Sequence, residues 1–145
     1  MTLPKPVPGL LIRYSYLWRE EYLAGREEGV KDRPCAVVLA TEMDNGEEMV
    51  TVVPVTHSIP REGVPALEIP PTTKRRLGLD EERSWIILNE ANRFIWPGPD
   101  IRPARRNDPA SVAYGILPYT LALEMIRRFA ENVRRQRGKV VRRSE

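Results

Sequence analysis

Two apolar runs joined by a turn signal constrain this chain more than any other feature. Residues 34–41 read Pro-Cys-Ala-Val-Val-Leu-Ala-Thr, apolar at odd and even positions alike, and 49–56 read Met-Val-Thr-Val-Val-Pro-Val-Thr. A strand with one solvated face alternates polar and apolar residues, so the first run predicts a strand buried on both faces. Asp44-Asn45-Gly46 between the runs favours a tight turn, which makes them a hairpin. Pro54 cannot donate to a ladder, so the second strand is expected at an edge or with a bulge there.

The open end of this hairpin carries the polar chemistry. Lys31-Asp32-Arg33 precede the first run, and Thr56-His57-Ser58 close the second. Pro34 restricts Arg33 to an extended backbone. A guanidinium fixed there can grip a phosphate through two parallel hydrogen bonds and stabilise charge in a pentavalent transition state. The competing reading is a surface arginine paired with Asp32 or a loop glutamate. Thr56 can donate to a phosphate oxygen, with Lys31, His57 and Ser58 as further substrate contacts. His57 is the one side chain of a type that titrates near neutrality. Regular strand alternation would point Thr56 and His57 to opposite faces, leaving His57 either a contact residue or a structural one.

Around the hairpin, residues 10–18 read as a first strand, and 20–31 as an exposed charged loop with Gly25 and Gly29. A short strand follows at 66–69. Residues 72–77 read as one or two helical turns, capped by Thr72 or Thr73 and closed by Gly78. Strands at 84–88 and 92–96 flank Asn89-Glu90-Ala91, and Pro97-Gly98-Pro99 ends them. The apolar positions Leu121, Met125, Ile126, Phe129 and Val133 recur at helical spacing within 118–136. Glu90, Asn92 and Arg93 form a second polar cluster able to read base edges of single-stranded RNA, with Trp96 or Phe94 as stacking partners. Phe94, Trp18 and Trp85 are otherwise expected in the core, and Cys35 is expected to be a buried, inert thiol. The fold class predicted is mainly β: a small, curved antiparallel barrel with a short helix and a C-terminal helix. Residues 1–137 are expected as a single domain and 138–145 as a disordered basic tail.

Composition narrows the chemistry. At 145 residues the chain can bury a core without covalent staples. No apolar stretch approaches the ~20 residues of a membrane helix. Pro4, Pro6 and Pro8 interrupt the region where a signal peptide keeps its apolar segment, and a lone cysteine fits a reducing compartment, so a cytoplasmic location is expected. The last twelve residues carry net charge +5, leaving 17 basic against 19 acidic residues in the body. Such a tail suits nucleic acid or an acidic partner, and equally a solvated helix end. With one histidine and one cysteine there is no zinc constellation, and no glycine-rich phosphate loop follows a strand. No metal or cofactor is expected. A two-histidine ribonuclease mechanism is excluded.

In order and spacing, the segments from about Pro8 to Phe129 resemble the MazF/PemK family of toxin–antitoxin growth inhibitors. The resemblance runs through Pro8-Gly9, the glycine-bearing charged loop, Arg33-Pro34 with its apolar strand, the strand ending in Thr56, Ala66-Leu67-Glu68-Ile69, Ser84-Trp85-Ile86-Ile87-Leu88 and the C-terminal helix. It implies an SH3-like barrel, a homodimer, metal-independent cleavage of single-stranded RNA, and a partner antitoxin that blocks the RNA groove. It also assigns Arg33 and Thr56 as the catalytic arginine and threonine. The chain departs from the family at Leu10, where an acidic residue is common, in its long glutamate-rich loop, and at Glu90, where many members carry glutamine. The implied function is a toxin endoribonuclease. The alternatives are a barrel without catalysis that binds RNA or protein, and a gyrase-type protein inhibitor. Arg33 and Thr56 favour the enzyme; Glu90 and the acidic loop favour the others.

Overall fold

The apolar hairpin occupies the centre of the sheet. The computed structural model describes residues 3–27, 29, 31–105, 108, 111–135 and 139–143. In it the two runs become β2 (Arg33–Glu42) and β3 (Glu48–Thr56), after β1 (Leu10–Tyr14) and α1 (Arg19–Leu23). β2 and β3 pair antiparallel from Cys35↔Pro54 to Glu42↔Glu48, with a register shift between Val37 and Leu39. Gly46 takes φ +88 in the connecting turn, a conformation a side chain would strain.

The sheet continues on both sides of this hairpin. On one side β1 pairs β2, and the far edge of β1 is shared by β7 (Ile101–Arg102) and β8 (Ala113–Ile116). On the other side β3 pairs β6 (Glu90–Ile95) along residues 49–52, then β5 (Trp85–Ile87) at Val55 and Thr56. β4 (Ala66–Glu68) lies beyond β5. The strand bearing Pro54 is therefore interior, not an edge. Pro54 keeps register with Cys35 of β2 and, on its other side, falls in the gap where β3 leaves β6 for β5, where no strand partner needs its missing N–H. The path runs from β4 to β7, and no pairing among the described residues joins these ends, so hydrogen bonding does not close a barrel.

Two apolar layers sit on opposite faces of the central strands. Leu11, Ala36, Val38, Val53 and Val55 point to one layer, which α3 (Tyr119–Arg134) covers with Ala122, Met125 and Phe129. Ile12, Tyr14, Cys35, Val37, Val50 and Val52 point to the other, where Tyr14 stacks on Phe94 at 4.7 Å between centroids. This two-sided burial is the physical meaning of the unalternated run at 35–38; it stops at Leu39, which is 49% exposed. Each such Val or Leu contributes roughly 1.5–3 kcal/mol. On α3, Leu121 and Ile126 pack against the first layer as their spacing predicts, but Val133 stays exposed. Among the expected core aromatics, Phe94 and Trp85 are buried, whereas Trp18 is half-exposed.

Other local expectations fail as well. β1 ends at Tyr14, four residues early, because Ser15 N–H turns to the carbonyl of Asp100 (2.9 Å). The charged loop contains α1, whose start is held by Glu21 accepting from the Trp18 amide (3.0 Å). α2 (Pro71–Arg76) starts after Pro70 with Pro71 in its first turn, where no N–H is needed, so neither threonine caps it. The largest departure is the basic tail. Lys139–Arg142 form β9, parallel to β6, and Val141 is buried.

The residue after β9, Arg143, is itself 3% exposed. Its Nη1 donates to the Ser15 carbonyl (2.7 Å) and to Asn92 Oδ1 (3.0 Å), and its Nη2 meets Asp100 Oδ2 at 3.1 Å. Asn92, fully buried, also clamps Leu17, accepting from its N–H and donating to its carbonyl, both at 2.8 Å. The tail is thus anchored by acceptors from three distant segments, which no local reading of a run of cations could supply. Removing one partner of a buried ion pair strands the other, at a cost of about 3–5 kcal/mol. Arg143→Met is expected to lower the unfolding free energy by about that amount in urea denaturation, with Asp100→Asn acting in the same direction. An unchanged midpoint would show the tail to be dispensable.

Candidate functional site

β3 ends at Thr56, and what happens next builds the site. Ser58 N–H donates to Thr56 Oγ1 (3.1 Å), a local turn that competes with continued strand. The turn breaks the alternation, so Thr56, His57 and Ser58 all line one groove of about 690 Å³. Its walls come from this turn and the loop to Arg61, from Asn89 and Glu90 at the start of β6, from Lys139 of β9, and from Trp18 to Leu23 around α1. Lys31 and Arg33 complete it. Arg19, Lys31, Arg33, Arg61 and Lys139 oppose Glu20 and Glu90, an excess of positive charge that suits a polyanion.

Arg33 is the best-defined cation in the groove. Its guanidinium lies over the Trp18 ring at 4.9 Å, and Nη1 donates to the Val55 carbonyl (3.3 Å). Nε is buried with no hydrogen-bond partner. Asp32, the neighbour that could have neutralised it, is instead engaged by Arg102 (3.7 Å) and Arg13 (4.0 Å). Burial lowers the pKa of the guanidinium from its ordinary value, but arginine still remains charged. Arg33 is therefore a positioned cation, held by stacking and one carbonyl, without an ion-pair partner among the described residues.

On the side of His57, a smaller cavity of about 110 Å³ adds Lys74 and Asp80. Lys74, 4% exposed at the end of α2, places its Nζ on Asp80 Oδ1 (2.6 Å), the Glu82 carbonyl and Ser84 Oγ. Asp80 Oδ2 in turn meets His57 Nε2 at 2.8 Å, while Glu82 lies 3.5 Å from Nδ1. Burial raises the pKa of the Asp80 carboxyl, but the hydrogen bond and charge of Lys74, with His57, outweigh it and hold the carboxyl below its ordinary range. His57, Asp80 and Glu82 bring ligand-type atoms within 4.8 Å of one another. All three are exposed, and Asp80 is already paired with Lys74.

Across the groove, Glu90 is half-buried. Its Oε1 accepts from Tyr16 OH and from the Arg19 amide, each at 3.0 Å. Burial raises the Glu90 carboxyl above its ordinary value despite these two bonds.

The structure brings together Lys31, Arg33, Thr56, His57, Ser58 and Glu90. It does not include Asn92 or Arg93. Asn92 is buried and spends its amide on Leu17 and Arg143, and the Arg93 guanidinium faces Thr51 (3.4 Å) on β3. Lys74, Asp80, Trp18, Tyr16 and Lys139 carry no local signal of a site, since each reaches it through a contact distant in sequence. Cys35 is fully buried and burial pushes its thiol pKa up, as expected of an inert cysteine. Comparison with protein-family models, curated proteins and solved structures finds no match.

Because its folded pKa is depressed, Asp80 contributes stability above its unfolded value of about 4, and that contribution disappears as pH falls through the lower folded value. Lys74→Met should flatten this acid limb in thermal melts taken between neutral pH and pH 2. Parallel limbs in the two proteins would show that Lys74 does not hold Asp80.

Proposed function

We propose that this protein is the toxin of a toxin–antitoxin pair resembling the MazF/PemK type, a metal-independent endoribonuclease acting on single-stranded RNA in the cytoplasm. The observation that carries this reading is Arg33: a stacked guanidinium with no ion-pair partner among the described residues, beside Thr56 in a groove of net positive charge. An arginine so placed has its charge available for a phosphate, and water is partly excluded around it.

The chemistry follows from the groups present. The RNA 2′-hydroxyl attacks the adjacent phosphate, and Arg33 stabilises the added negative charge on the equatorial oxygens. Thr56 Oγ1 already accepts from Ser58 N–H, which leaves its own hydrogen to donate to a phosphate oxygen. Lys31, Arg61 and Lys139 attract flanking phosphates. The products of this route are a cyclic phosphate and a 5′-hydroxyl.

An acidic antitoxin segment would compete for the same cations and block the groove. The working unit in this reading is a homodimer. Tyr119 (77% exposed) and Leu123 (47% exposed), four residues apart on α3, support it as apolar side chains with no cover in the single chain.

Cleavage of single-stranded RNA should persist in EDTA. Arg33→Ala is expected to abolish it while the protein stays cooperatively folded, its melting temperature lowered only by the lost stacking on Trp18 and the bond to Val55. Arg33→Lys should also be poor, because an ammonium keeps the charge but loses the planar fork. Thr56→Ala should slow cleavage about 10–100-fold, the value of one hydrogen bond to a charged group. Full activity in Arg33→Ala would overturn the assignment. Sedimentation at tens of micromolar should show a dimer, and a monomer at all concentrations would reject that part of the reading.

A further inference from the structure

The catalytic arginine and threonine stabilise charge but move no proton at neutral pH, and strand transfer to the 2′-oxygen requires two proton movements. The walls of the groove hold two groups able to make them. We infer that Glu90 and His57 form the acid–base pair of this groove, with Glu90 taking the 2′-hydroxyl proton and His57 returning one to the departing 5′-oxygen. The inference rests on the endoribonuclease reading and assigns its proton transfers.

Glu90 fits the base for geometric reasons. Both of its hydrogen bonds converge on Oε1, so Oε2 accepts none among the described residues and is the oxygen left for substrate. Tyr16, whose phenol is held protonated by burial and by Glu90, fixes the carboxylate as a permanent donor. The other charged groups facing it are Arg19 and Glu20 from α1 and Lys139, its register partner on β9. Alternatives among the lining carboxylates fall away: Glu20 is exposed on α1, and Asp32 is tied to Arg13 and Arg102.

His57 fits the acid because it is oriented. Asp80 engages Nε2 at 2.8 Å, and the buried Lys74 fixes Asp80 from behind. That leaves Nδ1 for the substrate, with only the exposed Glu82 at 3.5 Å to displace. Lys31 and Arg33 share the cavity with this ring and would lie near the phosphate it serves. The proton balance is closed. Glu90 Oε2 receives the 2′-hydroxyl proton, the 2′-oxygen forms the new bond to phosphorus, the P–O5′ bond breaks, and its electron pair takes the proton from His57 Nδ1. Solvent exchange then resets both side chains. One carboxylate and one imidazole thus replace the histidine pair that the sequence lacks.

The test uses an oligoribonucleotide cleaved by the wild-type protein, and the same strand with sulfur replacing the bridging 5′-oxygen at the mapped linkage. A thiolate leaves without protonation. His57→Gln should cut the oxygen-bridged strand on the order of 10²-fold more slowly and the sulfur-bridged strand at close to the wild-type rate. Glu90→Gln, which retains the acceptor for Tyr16 and Arg19, should slow both strands on the order of 10²-fold. It should also lose the acid limb of the pH–rate profile, which in the wild type lies above the ordinary carboxylate range. Equal slowing of both strands by His57→Gln would remove it as the acid. A Glu90→Gln profile superimposable on the wild type would remove Glu90 as the base while leaving the endoribonuclease intact. A wild-type protein that cleaves no single-stranded RNA would overturn the endoribonuclease reading and this inference with it.

Discussion

A buried guanidinium near the end of the chain holds together parts of the fold that are otherwise far apart. Arg143 reaches Asp100, the Ser15 carbonyl and Asn92, and Asn92 in turn clamps the backbone of Leu17. Through these contacts the stretch after β1, the start of β7, the middle of β6 and the tail share one desolvated cluster. A charge so deeply buried is tolerated only when every donor is met, because an unpaired one would destabilise by several kcal/mol. The requirement acts on the groove as well. Leu17 precedes Trp18, whose ring carries Arg33, and Arg143 follows β9, whose Lys139 lines the wall. Packing in the second apolar layer and the position of the candidate catalytic arginine are consequently coupled.

The groove itself arises from a change in backbone geometry at one strand end. As long as β3 stays regular, neighbouring side chains point to opposite faces. The turn closed by Ser58 N–H on Thr56 Oγ1 ends that regularity just where polar residues begin. Three consecutive side chains then share one surface, opposite Glu90. Lys74 plays a supporting part from beneath: an ammonium with three acceptors keeps Asp80 ionised, and Asp80 keeps the imidazole of His57 in one orientation. Arg33 contrasts with Lys74. One cation is fully committed to structure, and the other is held in place with no ion-paired carboxylate among the described residues, Glu21 acting on it only at longer range.

Residue patterns carried much of this architecture. The hairpin from β2 to β3, its two-sided burial, the turn at Gly46, the apolar stripe of α3 and the closing Gly78 of α2 all follow from local chemistry: period, turn residues and breakers. Several of the failures share a cause. β7, β8 and β9 are short elements with weak local preferences, stabilised by partners tens of residues away. The tail looked like a solvated run of cations because the acceptors of Arg143 lie at Ser15, Asn92 and Asp100. Asn92 read as a base-recognising amide because nothing nearby shows that Leu17 saturates it.

By itself the sequence determined a mainly β chain built on a doubly buried hairpin, with Arg33 and Thr56 at its open end and no constellation for zinc. These properties depend on neighbours within a few residues, which is the range over which side-chain period and backbone restriction act. Only the tertiary structure decided that His57 lines the groove, that Glu90 lines it too with both of its hydrogen bonds on Oε1, and that Arg93 and Asn92 lie elsewhere. Those outcomes depend on where β3 breaks and on which buried polar groups find partners, and such partners are set by packing across the whole chain.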